Sequence, residues 1–87
     1  MTSTTTPVFL RDSSGTLHNA TYIRSISTPD PFYVHVEMAD DETLEFRAVR
    51  DPHEGEDRPA DLVSKILEIG KLGGGVAYWT GKTFETH

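Results

Sequence analysis

The sequence predicts an α+β fold in which one helix packs on one face of a small, twisted antiparallel sheet. Two observations indicate this class. Only residues 58–71 show the apolar period of an amphipathic helix, and short β-favouring runs lie on both sides of that segment. The expected order is four strands, the helix and a C-terminal hairpin. A half-open barrel plugged by the helix is the near alternative.

The helix is predicted from its start and stop signals as well as from its period. Asp57 is placed to act as the N-cap, since its carboxylate can accept from the unpaired amides of the first turn. Pro59 suits the first turn, and the glycines at 73–75 provide the stop. The apolar half of the helix is expected to face the sheet through Leu62, Val63, Ile66, Leu67 and Ile69.

Four strands are expected before the helix, at residues 7–11, 16–27, 32–38 and 43–50. The second alternates imperfectly, so we expect a bulge within it. The third and fourth alternate cleanly and read as an antiparallel hairpin. Their inward positions are Phe32, Val34, Val36, Met38, Leu44, Phe46 and Ala48.

A last hairpin is expected from two β-favouring runs, 76–79 and 82–86, on either side of Thr80-Gly81. A two-residue turn would place Trp79 opposite Lys82 and Ala77 opposite Phe84. At this length the chain predicts one α+β domain over residues 7–87, preceded by a flexible polar tail at residues 1–6.

The net charge of −6 is concentrated in one third of the chain. Ten acidic and three basic residues give the window 37–61 a charge of −7, and the remainder carries +1. Direct nucleic-acid binding is disfavoured, because phosphate contacts need clustered Lys and Arg. The window is either a solvated face or a surface for a basic partner. The candidate partner-binding residues are Asp40, Asp41, Glu42, Glu45, Glu54, Glu56 and Asp57.

A different interaction surface is suggested by the aromatic residues Tyr22, Tyr33 and Trp79, which could share an exposed sheet face. Assembly through that face, for example as a homodimer, would make the protein a structural or homo-oligomeric component. Such assembly would also enlarge the thin core of a domain this small.

Catalysis and cofactor binding have weak support in the sequence. His18, His35 and Glu37 could in principle form an open zinc site, but no His-x-His, His-Glu-x-x-His or cysteine pattern accompanies them. We interpret them as polar residues scattered over a solvated face. No nucleophile signature is present either. We therefore expect no enzyme activity, no metal and no cofactor, and a small-molecule or metal-binding module is the third functional class.

The expected function is a small acidic protein-binding module, such as an inhibitor or adaptor that covers a basic, nucleic-acid-binding surface of another protein. Phage-encoded inhibitors of host defence, including anti-CRISPR proteins, are often small, acidic and free of cysteine. The analogy is one of size and charge alone. No segment is apolar enough for a membrane span, and no signal peptide is recognisable, so we expect a cytoplasmic protein without membrane contact.

Overall fold

Residues 7–87, which a computed structural model describes, form seven strands, one α-helix and a 3-10 helix. The predicted α+β class is thereby confirmed, and the predicted tail at residues 1–6 lies outside the described part. The strands are β1 (Val8–Arg11), β2 (Leu17–Asn19), β3 (Ile23–Asp30), β4 (Tyr33–Met38), β5 (Thr43–Arg47), β6 (Gly75–Trp79) and β7 (Phe84–Thr86). The α-helix α1 is Arg58–Lys71, and the 3-10 helix is Ala20–Tyr22.

The strands form two sheets, where the sequence predicted one. The first has the order β2-β1-β6-β7 and the second β3-β4-β5. Helix α1 packs against β6 and β7 of the first sheet, and β1 and β6 pair in parallel. The chain leaves the first sheet at Asn19, whose side chain accepts from the amide of Thr21 (2.9 Å) and starts the 3-10 helix. The expected long strand over 16–27 is therefore broken into two strands of different sheets.

The core lies between the two sheets and one side of the helix. The inward positions of β4 and β5 are buried as predicted, and the Phe46 ring meets the Phe84 ring edge-on with centroids 5.5 Å apart. Phe32 is different: it is exposed, because it lies before β4 in a turn where Asp30 accepts from its amide (2.8 Å). The buried cluster is Leu10, Val34, Val36, Met38, Leu44, Phe46, Leu62, Ile69, Ala77 and Phe84.

Helix α1 begins as predicted, with the Asp57 carboxylate accepting from the amide of Ala60 (3.1 Å). Its buried face is narrower than expected. Leu62 and Ile69 are buried, whereas Val63 and Leu67 are 46% and 61% exposed. A sheet this small covers one ridge of the helix, so the expectation that Val63 and Leu67 face the core was wrong. No helix among residues 7–87 has the length and apolar character that crossing a membrane requires.

The C-terminal hairpin forms, but its register differs from the expected one. Trp79 pairs with Phe84 and Ala77 with Thr86 across a longer turn. Thr80 closes this turn, since its hydroxyl accepts from the amides of Lys82 (3.2 Å) and Thr83 (3.1 Å). The register shift is two residues, so the side chains of Ala77, Trp79 and Phe84 still share a face.

Candidate functional site

The predicted acidic residues separate into two groups at opposite ends of the β4–β5 hairpin. Asp40, Asp41 and Glu42 lie in the turn that joins the two strands. Glu54, Glu56 and Asp57 belong to the loop at the other end, which Arg58 ties to Pro31 and Arg50. The paired strand segments between the two ends span roughly 14 Å. The structure therefore does not gather the window into one continuous acidic edge.

Two of the three carboxylates of the turn lie beside a basic side chain, whereas Asp40 accepts only a backbone amide. Arg24 forms ion pairs with Glu37 and with Asp41 (2.9 Å). Asp40 accepts from the amide of Glu42 (3.1 Å), and the Glu42 carboxylate lies 3.9 Å from the Nδ1 of His18. These contacts reduce the negative field of the turn.

Glu45 lies apart from both acidic groups, on the outer face of β5. Its carboxylate is 3.1 Å from the Nε2 of His35 on β4. Glu45 therefore lies midway along an edge strand of the second sheet and has a local partner.

Glu56 and Asp57 of the loop group line an open groove of about 690 Å³, whereas Glu54 does not. Residues 28–31 form one wall, and residues 52 and 55–59 form the other. Four of the five prolines of the chain line this groove, at positions 29, 31, 52 and 59. Because proline fixes its own φ and restricts the residue before it, both walls are conformationally stiff. The groove is the candidate functional site.

Arg58 links the two walls of the groove through its buried side chain. Its guanidinium is 3% exposed and donates to the carbonyl of Pro31 in one wall and to that of Arg50 (2.9 Å), beside the other wall. Its Nε lies 3.3 Å from the Glu56 carboxylate, within ion-pair distance but without the alignment of a hydrogen bond. The guanidinium also lies over the ring of Trp79 at 5.8 Å. The structure thus makes Arg58 the central residue of the site.

The Glu56 carboxylate is paired with two arginines and is therefore less available to a ligand in the groove. It forms ion pairs with Arg50 (3.0 Å) and Arg58, and the hydrogen bond from Arg50 is the main cause of its lowered pKa. Asp57 and Asp30 differ from Glu56 because neither carboxylate is paired with an arginine. In the contacts among residues 7–87, each of their side chains accepts one backbone amide through Oδ1, from Ala60 and from Phe32. Their Oδ2 atoms remain open to a ligand, and Asp30 was not among the sequence candidates.

The ion pairs of Glu56 predict a specific pH dependence. Because its folded-state pKa is lowered, Glu56 stabilises the fold above the usual value of 4.5, and that contribution is lost as the pH falls through the lowered pKa. Glu56→Gln should therefore be less stable at neutral pH and show a shallower loss of stability below about pH 4.5. Urea denaturation from pH 7 to pH 3 measures this, with the exposed Glu68→Gln as control. Equal slopes for both variants would contradict it.

The three aromatic candidates do not lie on one surface. Tyr22 is 61% exposed in the 3-10 helix, next to the turn end of β4. Tyr33 begins β4 at the opposite end, near the ring of His35. Trp79 packs on Phe84 with centroids 4.7 Å apart and donates to the carbonyl of Arg47 (2.8 Å). Trp79 thereby joins the two sheets and belongs to the edge of the core.

The histidines considered as metal ligands lie in different sheets, His18 in β2 and His35 in β4. Among residues 7–87, no three His, Asp or Glu side chains come together in a way that would hold a metal ion. His18 instead bonds the Asp12 carboxylate (2.8 Å), and this bond is the main cause of a lowered pKa for Asp12. Asp12 also accepts from Ser14 and Thr16, so the cluster closes the β1–β2 turn.

Comparison of the chain with protein-family models, curated proteins and solved structures finds no match. The functional assignment therefore depends on what the groove can bind. It offers stiff walls, two carboxylates with an open oxygen each, and a buried arginine whose charge Glu56 compensates. Such a site suits a cationic side chain better than an anion, because Asp57 already occupies the N-terminus of the helix.

Proposed function

We propose that the protein is a small protein-binding module, with no catalytic activity, whose groove receives a basic segment of a partner protein. The observation that carries this proposal is the position of Asp30 and Asp57. Both line the groove, and both keep one carboxylate oxygen uncommitted by contacts among residues 7–87. A Lys or Arg side chain between the walls would form charge-assisted hydrogen bonds with these oxygens.

The groove supports this function better than the acidic turn does. In the turn, Arg24 already pairs with Asp41 and His18 lies beside Glu42, so a partner would have to compete with them, and among residues 7–87 only Asp40 keeps an oxygen open as Asp30 and Asp57 do. A concave site excludes water on more sides than a turn, which strengthens each ionic hydrogen bond. Walls stiffened by proline also reduce the conformational entropy lost on binding.

The sharper form of the proposal is an inhibitor or adaptor that covers a basic, nucleic-acid-binding surface of its partner. Surfaces that bind phosphates present clustered Lys and Arg side chains, and these are the groups that the groove suits. The overall charge of −6 would accelerate the approach of such a partner and would make the association rate sensitive to salt.

Neutralising the two open carboxylates tests the proposal. Asp30→Asn with Asp57→Asn keeps both backbone contacts, because the Asn oxygen still accepts from Phe32 and Ala60. The probe is a fluorescently labelled peptide of alternating Arg and Ser, and anisotropy measures its binding. We expect the double variant to bind about tenfold or more weakly than the wild type, because it loses ionic hydrogen bonds.

The matched control is Asp40→Asn with Asp41→Asn, which changes the net charge equally but at the turn. We expect this variant to bind the peptide nearly as well as the wild type. Equal losses in the two double variants would mean that the peptide responds only to overall charge, and the groove proposal would fail. Absence of binding to the wild-type protein would also refute it.

A further inference from the structure

The groove continues into an apolar depression between β3 and the helix. This depression has a volume of about 420 Å³ and shares Asp57 and Pro59 with the groove. Ile23, Arg24, Ser25 and Ile26 line its strand side, and Ala60 and Val63 line its helix side, so the lining is largely but not wholly apolar. A ligand that fills the groove and extends past the start of the helix would therefore meet an apolar surface.

The helix side of the depression belongs to a longer apolar stripe. Ala60, Val63 and Leu67 are spaced three and four residues apart, so they lie along one face of α1. Among the helix residues that the sequence assigned to the core, Val63 and Leu67 are the two that the structure leaves exposed. The small sheet leaves this face of the helix uncovered, and its continuity with the groove makes the two side chains available to the same ligand.

Building on the proposed function, we infer that the groove and the depression form one elongated site for a partner segment that carries a basic side chain next to a large apolar one. The basic side chain lies between Asp30 and Asp57, and the apolar one packs on Ile26 and Val63. Two features select this occupant. Asp30 lines only the groove and Asp57 stands where the groove meets the depression, and beyond Pro59 the apolar side chains of Ala60 and Val63 continue along the helix.

Selection of peptides from a random display library on the immobilised protein tests this inference. The wild type should enrich peptides in which Lys or Arg stands close to Leu, Ile, Met or Phe. The double variant Val63→Ser with Leu67→Ser should still enrich peptides with Lys or Arg but should no longer prefer an apolar neighbour. Individual peptides selected on the wild type should bind this variant about tenfold more weakly. Both positions are exposed, so the variant retains the core, and its thermal unfolding would verify this.

The control variant is Leu17→Ser with Leu72→Ser, which removes apolar side chains elsewhere that are at least as exposed, and it should leave the selection unchanged. Enrichment of basic peptides without an apolar neighbour would overturn the inference and leave the proposed function intact. No basic enrichment at all would overturn both. If the wild type dimerises in light-scattering measurements and Val63→Ser with Leu67→Ser is a monomer, the face binds a second copy, and the inference fails.

Discussion

Replacing Arg58 with alanine is expected to lower the free energy of unfolding by about 3–5 kcal/mol. The guanidinium is buried, and its loss would leave the carbonyls of Pro31 and Arg50 without their donor. Glu56 would keep only Arg50 as a partner in a half-buried position. The total stability of a domain is about 5–15 kcal/mol, so this variant would lose a large part of it.

Two variants make the Arg58 prediction specific. Arg24→Ala removes an arginine that also pairs with two carboxylates, but at an exposed position, so it should cost less than about 1 kcal/mol. Arg58→Lys should recover only part of the loss, because a single ammonium group cannot reproduce the planar fork that joins both carbonyls. Urea denaturation followed by Trp79 fluorescence measures all three. If Arg58→Ala costs no more than Arg24→Ala, the buried guanidinium does not hold the two walls together.

The sequence contained one signal for this role of Arg58. A cation in the first turn of a helix is unfavourable, because the helix dipole is positive there. An arginine at the first helical position, directly before Pro59, therefore indicates a contact outside the helix. In the sequence, Arg58 entered only as one of the three basic residues of the window 37–61. Its acceptors could not be identified beforehand, since they are backbone carbonyls that any residue can supply.

The parts of the fold that were predicted correctly depend on local information. The N-cap at Asp57, the helix bounds and the alternation of β4 and β5 are all encoded within a few neighbouring residues. The separation into two sheets occurs at the 3-10 helix, where the Asn19 side chain accepts from the amide of Thr21 in a segment whose composition favours a strand. The exposed Val63 and Leu67 reflect how much sheet is available to cover the helix, which no local pattern encodes.

The residues of the candidate site were likewise predicted only in part from the sequence. Glu54, Glu56 and Asp57 were selected for their charge, but the structure gives Glu56 and Asp57 different tasks, as a partner of two arginines and as a helix cap. Asp30 lies outside the acidic window and reaches the groove because β3 ends beside the start of α1. The charge density along a chain identifies acidic segments. A binding site, however, depends on which segments the topology brings together.

Phe84→Ala is expected to lower the free energy of unfolding by about 3–5 kcal/mol. Phe84 is fully buried in β7 and contacts Phe46 of the other sheet and Trp79 of its own. Truncation would leave a cavity where the two sheets meet. Phe32→Ala is the matched control, because Phe32 is 44% exposed and should cost less than about 1 kcal/mol. Chemical denaturation of both variants measures the difference.

A double-mutant cycle separates the contact between the sheets from simple loss of core volume. If the edge-on packing of Phe46 on Phe84 stabilises the junction, then Phe46→Leu and Phe84→Leu should show a coupling of about 0.5–1.5 kcal/mol. Leucine retains most of the buried area, so the variants are expected to fold. Additive losses would mean that the two rings contribute independently and that other contacts between the sheets, such as the bond from Trp79 to Arg47, stabilise the junction. The groove lies at the end of the second sheet. In either case, the contacts that join this sheet to the first one are not made by the acidic residues.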